Sequence, residues 1–258
     1  MNNLDYLIKY LLEERKEEVN IPDNIEEKKK LYKILCNIRE PKPISDEYIQ
    51  VENNYLQEET RKKGILNIKD ILITDNNNIK NKDIISIWQG DITRLQVDAV
   101  VNPANSQGLG CFNPSHKCLD NILGVSSGVC LRLECNEIMR KKDYNLKTGE
   151  AIITKAYNLP SKYIIHTVGP IINYELTDNH KNKLSECYIS SLELAKKNNI
   201  KTIAFPCIST GLFSFSKDIA CRIALKTVDE YLIENKKYFN RIIFCVFSDE
   251  DYNYYINY

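Results

Sequence analysis

The sequence predicts an α/β fold, a largely parallel central sheet covered by helices on both faces and preceded by a helical amino-terminal extension. Three observations predict it. From Ile84 onward, short runs rich in β-branched residues alternate with longer stretches at helical spacing, the pattern of strands joined by crossover helices. Residues 1–63 contain no glycine and place apolar residues at helical intervals. Apart from Gly64, every glycine lies between Gly90 and Gly211, so backbone freedom is concentrated in one stretch of the chain.

Taken in order, Leu4, Leu7, Ile8, Leu11 and Leu12 predict a first helix over 4–15, broken by Asn20-Ile21-Pro22-Asp23. Leu31, Ile34, Leu35 and Ile38 repeat the spacing up to Glu40-Pro41-Lys42-Pro43. Ser45 is placed to cap a third helix carrying Tyr48, Val51, Tyr55 and Leu56 as far as Gly64. Lys28-Lys29-Lys30 and Arg61-Lys62-Lys63 read as solvated helix faces, and Asn76-Asn77-Asn78 as a turn. Strands are expected at 84–88, 97–101, 151–155, 163–168, 202–205 and 242–246, and helices at 121–141, 179–197 and 216–234. Sheets of this kind bind ligands at the carboxyl ends of their strands. Two such ends carry loops of interest, one beginning Asn102-Pro103-Ala104-Asn105 and the other Pro206-Cys207-Ile208-Ser209-Thr210-Gly211.

A chain of 258 residues, 43% of them hydrophobic, supports one large domain with an appendage, divided here as 1–64 and 65–258. Lysine plus arginine equals aspartate plus glutamate at 35 each, so no net field draws a polyanion, which argues against nucleic acid as a partner. No run approaches the ~18 apolar residues of a membrane span, and the first residues lack the pattern of a secretion signal. A cytoplasmic protein without membrane attachment is expected. An odd total of nine cysteines then points to free thiols or metal ligands rather than disulfides. Cys36, Cys130, Cys135, Cys187, Cys221 and Cys245 lie in apolar periodic stretches and are expected in the core.

The remaining cysteines include a cluster of a different kind. Cys111, His116 and Cys118 form a C-x4-H-x-C set on a loop that also carries Gly108, Gly110 and Pro114. Two thiolates and an imidazole make three zinc ligands, where structural sites usually have four and catalytic sites leave a position open. Asp120, or the distant Cys207, could supply a fourth and make the site structural. Ser209-Thr210-Gly211-Leu212-Phe213 stands between a strand and a helix, where backbone amides and the helix dipole suit a diphosphate. Asn102 and Asn105 either cap a turn or bond ribose hydroxyls, and Asp91 either caps a turn or accepts from the exocyclic amine of a base. His166, on an apolar strand, reads as a satisfied core histidine, and His180 as a surface residue at a helix start.

Gly90-Asp91-Ile92-Thr93, the run 97–105 and the loop 209–213 resemble the macrodomain family of ADP-ribose binders and hydrolases. The metal-like loop, Leu131-Arg132 with Glu134-Cys135, Thr148-Gly149, the run 157–163 and Asn37-Ile38-Arg39 with Pro41 and Pro43 narrow the resemblance to the zinc-dependent branch. That branch is described as protein-ADP-ribose hydrolases with a helical amino-terminal extension, so the resemblance covers nearly the whole chain. It implies a three-layer α/β/α macrodomain with a mixed, largely parallel sheet, acting as a monomer on ADP-ribosylated proteins and binding ADP-ribose and one zinc ion. By the same resemblance Asp91, beside Ile92, binds the adenine amine, Phe247 stacks on adenine, and Ser209, Thr210, Gly211, Leu212 and Phe213 hold the diphosphate. Asn102 and Asn105 meet the distal ribose, Cys111, His116 and Cys118 hold zinc beside the scissile bond, and Asp120 is an orienting group or a base. Two features depart from the family pattern. Ser214 and Ser216 stand where glycine and proline are usual, which implies a looser phosphate loop, and Gly124 replaces a frequent histidine. The alternatives are a reader that binds ADP-ribose without cleaving it, and a hydrolase of a small ADP-ribose ester.

Overall fold

A computed structural model describes residues 2–258. Three capped helices open the chain. In α1 (Asn3–Arg15), α2 (Ile25–Ile38) and α3 (Asp46–Lys63), the side chains of Asn2, Asn24 and Ser45 accept from first-turn amides, satisfying donors that a helix start leaves open. Their apolar faces close around Leu7, Leu11, Tyr32 and Tyr48, and the same cluster takes in Val129 and Val125 from later in the chain. Glu52, buried in its middle, accepts from the hydroxyls of Tyr32 at 2.8 Å and Tyr48 at 3.3 Å and from the backbone amide of Val129 at 2.9 Å. The extension therefore shares its core with the rest of the molecule. Of its basic runs, Arg61, Lys62 and Lys63 are exposed as expected, with Lys63 reaching Asp91, whereas Lys28 and Lys29 are half-buried and pair with Asp5 and Glu59.

The strands are β1 (Leu66–Asn67), β2 (Ile85–Gln89), β3 (Leu95–Gln96), β4 (Ala99–Pro103), β5 (Ala151–Lys155), β6 (Tyr163–Thr167), β7 (Thr202–Phe205) and β8 (Arg241–Val246). Six form the main sheet in the order β2-β8-β7-β4-β6-β5, all parallel except β5, which pairs antiparallel with β6. Side chains alternate between faces along each strand. Ala99, Val101, Ile203, Phe205, Ile242 and Phe244 face α6 (Asp178–Lys197) and α7 (Lys217–Asn235). Val100, Ala204, Ile243 and Cys245 face the opposite layer, which holds Leu123 of α4 (Leu119–Ser127) and Leu131 of α5 (Val129–Arg140). This is the expected three-layer architecture with a mixed, mostly parallel sheet.

Three features depart from expectation. The single helix expected at 121–141 is two, broken at Gly128, whose φ of +92° and ψ of 177° suit glycine alone. The apolar pattern runs through the break because Leu123 and Leu131 are buried against the sheet and Val129 against the amino-terminal helices. A closing helix, α8 (Asp249–Ile256), was not expected, although Ser248 caps it and three acidic residues occupy its first turn. Of the six cysteines assigned to the core, five are buried and Cys130 is only half-buried. Among the described residues no helix is long and apolar enough to cross a membrane.

Candidate active site at the carboxyl edge of the sheet

Because β2, β8, β7 and β4 are parallel, their carboxyl ends lie along one edge of the sheet. The residues singled out in the sequence follow those ends in spatial order: Asp91 and Ile92 after β2, Phe247 after β8, the loop 206–216 after β7, and Asn102 and Asn105 at and beyond β4. Three strand spacings of about 4.8 Å separate the first of these ends from the last, ~14 Å in all.

At one end, Asp91 caps a short turn. Its Oδ1 accepts from the Thr93 amide at 2.9 Å and the Thr93 hydroxyl at 2.7 Å, while Oδ2 faces Lys63 Nζ at 3.6 Å. Burial opposes its ionisation, but the Thr93 bonds and the Lys63 charge outweigh it and hold the carboxyl below the usual range. Ile92 is buried, and Phe247 stands 81% exposed, an apolar ring open to a flat partner. In the middle, the loop after β7 turns tightly, with the Ser214 amide donating to Gly211 O and the Phe215 amide to Ser209 O, both at 3.0 Å. Ser209 (φ +66°) and Ser214 (φ +57°) adopt left-handed conformations, so Ser214 makes the turn expected of glycine. A Cβ built on Gly211 meets nothing within 4 Å, and one built on Gly169 would lie 2.0 Å from Ser209 Oγ. Gly211 therefore borders open space, and Gly169 is small so that the loop can rest on it.

At the other end, Asp120 gathers the asparagines. Its Oδ1 accepts from Asn102 Nδ2 at 2.7 Å and its Oδ2 from Asn105 Nδ2 at 3.3 Å. Burial pushes its carboxyl up to about 6 against the lowering pull of Asn102. Asn102 is 1% exposed, and its Nδ2 also lies 3.1 Å from His166 Nδ1. Since Asn102 points a donor at Nδ1, the proton of His166 sits on Nε2 and is directed at Thr154 Oγ1, 2.9 Å away. His166 is thus the buried, satisfied histidine expected, and it also links Asn102 to the strand beside it. Asn105 is half-buried and anchors its own loop. Its Oδ1 accepts from the amides of Gln107 and Gly108, and its Nδ2 donates to Gly110 O at 3.0 Å. A narrow cleft of about 30 Å³ lies beside Asp120, lined in part by Gly110, Gly124 and Arg132.

Next to Asp120, the ligand atoms of Cys111, His116 and Cys118 all lie within 4.8 Å of one another. Zinc bonds of 2.3 Å to sulfur and about 2.0 Å to nitrogen place tetrahedral S and N donors about 3.5 Å apart. The Cys111 Sγ to His116 Nδ1 distance is 3.6 Å, so the donor set and spacing fit zinc. Burial, aided by the neighbouring Cys111, pushes the Cys118 thiol up to about 11, a preference that a coordinated cation reverses. Neither candidate for a fourth ligand joins the cluster. Asp120 is turned toward the asparagines, and Cys207 packs beside Tyr255 on the α7 face. His180 completes a capping box with Thr177 at the start of α6.

A curated relative from Treponema medium named protein-ADP-ribose hydrolase is 44% identical over 248 residues, 95% of this chain and 94% of its own length. The chain belongs to the macrodomain family. The family's own macro domain pattern matches residues 101–224, from within β4 through the Cys111, His116 and Cys118 loop and the loop after β7. A second relative of the same name, from Staphylococcus aureus, is 41% identical over 98% of this chain and 93% of its own length. Among solved structures, a Trypanosoma brucei macrodomain in complex with ADP-ribose superposes with a TM-score of 0.67 at 26% identity, covering 87% of this chain and 94% of the other.

Proposed function

We propose that this macrodomain is a zinc-dependent hydrolase that removes ADP-ribose from modified proteins by cleavage at the distal ribose, with residues 1–64 as a helical extension to a domain of 65–258. It is a protein-ADP-ribose hydrolase in the coarser sense that its full-length relatives support. The observation that carries the finer reading is the linear order of the sheet edge. A base-sized aromatic and a carboxylate stand at one end, an amide-rich turn in the middle, and a carboxylate with two asparagines and three metal ligands at the other. Adenine, diphosphate and ribose follow one another in the same order in ADP-ribose.

Each group then has a task. Phe247 stacks on adenine and Asp91 Oδ2, beside Lys63, accepts from its amine. The amides of 209–213, backed by the start of α7, neutralise the diphosphate without a basic side chain. Asn105 reaches the distal ribose, while the buried Asn102 acts through Asp120, whose position it fixes. Asp120, within a wall of apolar and amide groups, is placed to orient the attacking water or take its proton as the bond at the ribose breaks. Cys111, His116 and Cys118 would hold zinc, which when bound supplies Lewis acidity toward an oxygen at the ribose or its leaving group.

The test pairs metal analysis with release of ADP-ribose from serine-, aspartate- and glutamate-modified proteins, before and after treatment with a strong chelator. One zinc per chain and chelator-sensitive release are expected, with free ADP-ribose still bound after chelation. Release that survives complete metal removal would sink the zinc dependence, and tight binding with no release from any substrate would make the domain a reader.

A further inference from the structure

Arg132 is a residue that the site chemistry leaves unused, yet its guanidinium makes five bonds to backbone carbonyls. Nε donates to Leu109 O at 2.9 Å and Nη2 to Cys111 O at 3.2 Å, both on the metal-ligand loop. The two hydrogens of Nη1 are shared among Cys36 O at 3.2 Å, Asn37 O at 2.7 Å and Arg39 O, all at the end of α2. The guanidinium plane lies 4.1 Å over the ring of Phe112 on the same loop. From the opposite side, Asn37 Nδ2 donates to Cys111 O at 2.6 Å. The carbonyl of a metal ligand is thus gripped twice, once from α5 and once from the extension.

Two local facts show why this matters. The last turn of α2 holds no basic residue, and the helix ends in extended backbone at Arg39 rather than in a glycine cap, so its open carbonyls depend on Arg132. The loop itself carries Gly108 and Gly110, both at positive φ, and has little intrinsic stiffness. Only a planar fork with five donors can serve carbonyls on two sides at once; a lysine ammonium has three donors on one point.

We infer that Arg132, with Asn37, is a positioning residue for the metal ligands, so that the amino-terminal helices form part of the metal site. This rests on the zinc reading above. Preordering the loop lowers the entropy lost when the ligands close on the ion, and removal of such supporting partners typically costs 10–100-fold in metal affinity.

The test uses the full chain with Arg132→Lys and Asn37→Ala. The second variant is the gentler one: Asn37 Oδ1 has no donor already, so it loses the bond to Cys111 O alone. Zinc affinity is measured by competition with a chromophoric chelator, and ADP-ribose affinity by calorimetry. Zinc affinity is expected to fall roughly 10–100-fold in Arg132→Lys and about tenfold or less in Asn37→Ala, with ADP-ribose affinity changed less than about twofold because its adenine and diphosphate subsites lie on other strands. Unchanged zinc affinity in both variants, or equal losses of zinc and ADP-ribose affinity, would overturn the inference. If the unaltered protein takes up no zinc, the functional reading fails separately. Amide exchange across residues 109–118 of the metal-free protein then decides: faster exchange in both variants supports the positioning role, and unaltered exchange refutes it.

Discussion

His166 should make the protein measurably acid-sensitive, by an amount that follows from its surroundings. Burial lowers its pKa from 6.5 to about 4, and protonating Nδ1 would also set a second donor against Asn102 Nδ2 at 3.1 Å. A histidine depressed in the folded state takes up its proton more readily when unfolded. Its contribution is complete above the unfolded value of about 6.5 and is lost as pH falls toward the folded value. Going from pH 7.5 to 5.0 with these two values removes about 2 kcal/mol of stability. Asp120 works in the opposite direction, since its carboxyl is raised to about 6 and so gains stability on acidification, but that contribution is common to wild type and a His166→Gln variant. The assay is therefore a difference: urea unfolding of both proteins, metal-free, at pH 7.5 and 5.0. Wild type should lose about 2 kcal/mol more than His166→Gln between the two. A difference below about 0.5 kcal/mol, or one of opposite sign, would show that the folded histidine titrates freely and that the Asn102–His166–Thr154 chain is not as described.

Other substitutions probe the remaining links. Cys118→Ala should abolish zinc uptake and ADP-ribose release while leaving free ADP-ribose bound, and collapse of binding together with activity would make the metal structural. Asn105→Ala frees the loop and one side of Asp120, and turnover should fall roughly 100-fold; unchanged kcat/KM would remove Asn105 from the site. Gly128→Ala forces a Cβ to 2.6 Å from Glu52 Oε2 at a backbone conformation reserved for glycine. With the strain and the disturbed Glu52–Val129 bond, roughly 3–5 kcal/mol of stability should be lost in urea melts, and a loss under about 1 kcal/mol would contradict the described packing.

Much of this architecture was readable from local pattern. Ser45 and Gly64 bracket α3 because capping chemistry depends on one or two residues, and β5 and β7 begin and end where their β-branched runs do. The break at Gly128 was not legible, because the side chain that requires it, Glu52, stands far back in the chain. The site shows the same division. Asn102, Asp120 and His166 each stand out singly in the sequence, but their connection depends on the β4–β6 register that sets Asn102 opposite His166. Arg132 belonged to a recognised motif, yet its partners at Leu109, Cys111 and the end of α2 come together only in three dimensions.

The order of the strands also governs when a binding edge can exist at all. β8, the final strand in the chain, sits between β2 and β7 and is the main-sheet partner of β2. Until residues 241–246 have been made and have slotted in, β2 has no neighbour in that sheet, and the Asp91 and Phe247 ends are not side by side. A nascent chain still lacking that strand would carry the Cys111, His116 and Cys118 loop and the loop after β7 without the Asp91–Phe247 end of the edge. Pairing of such sequence separation is slow to form. The Asp91–Phe247 end of the edge therefore forms only once β8 is in place, and losing a few residues of β8 would leave it unformed while the other loops remain.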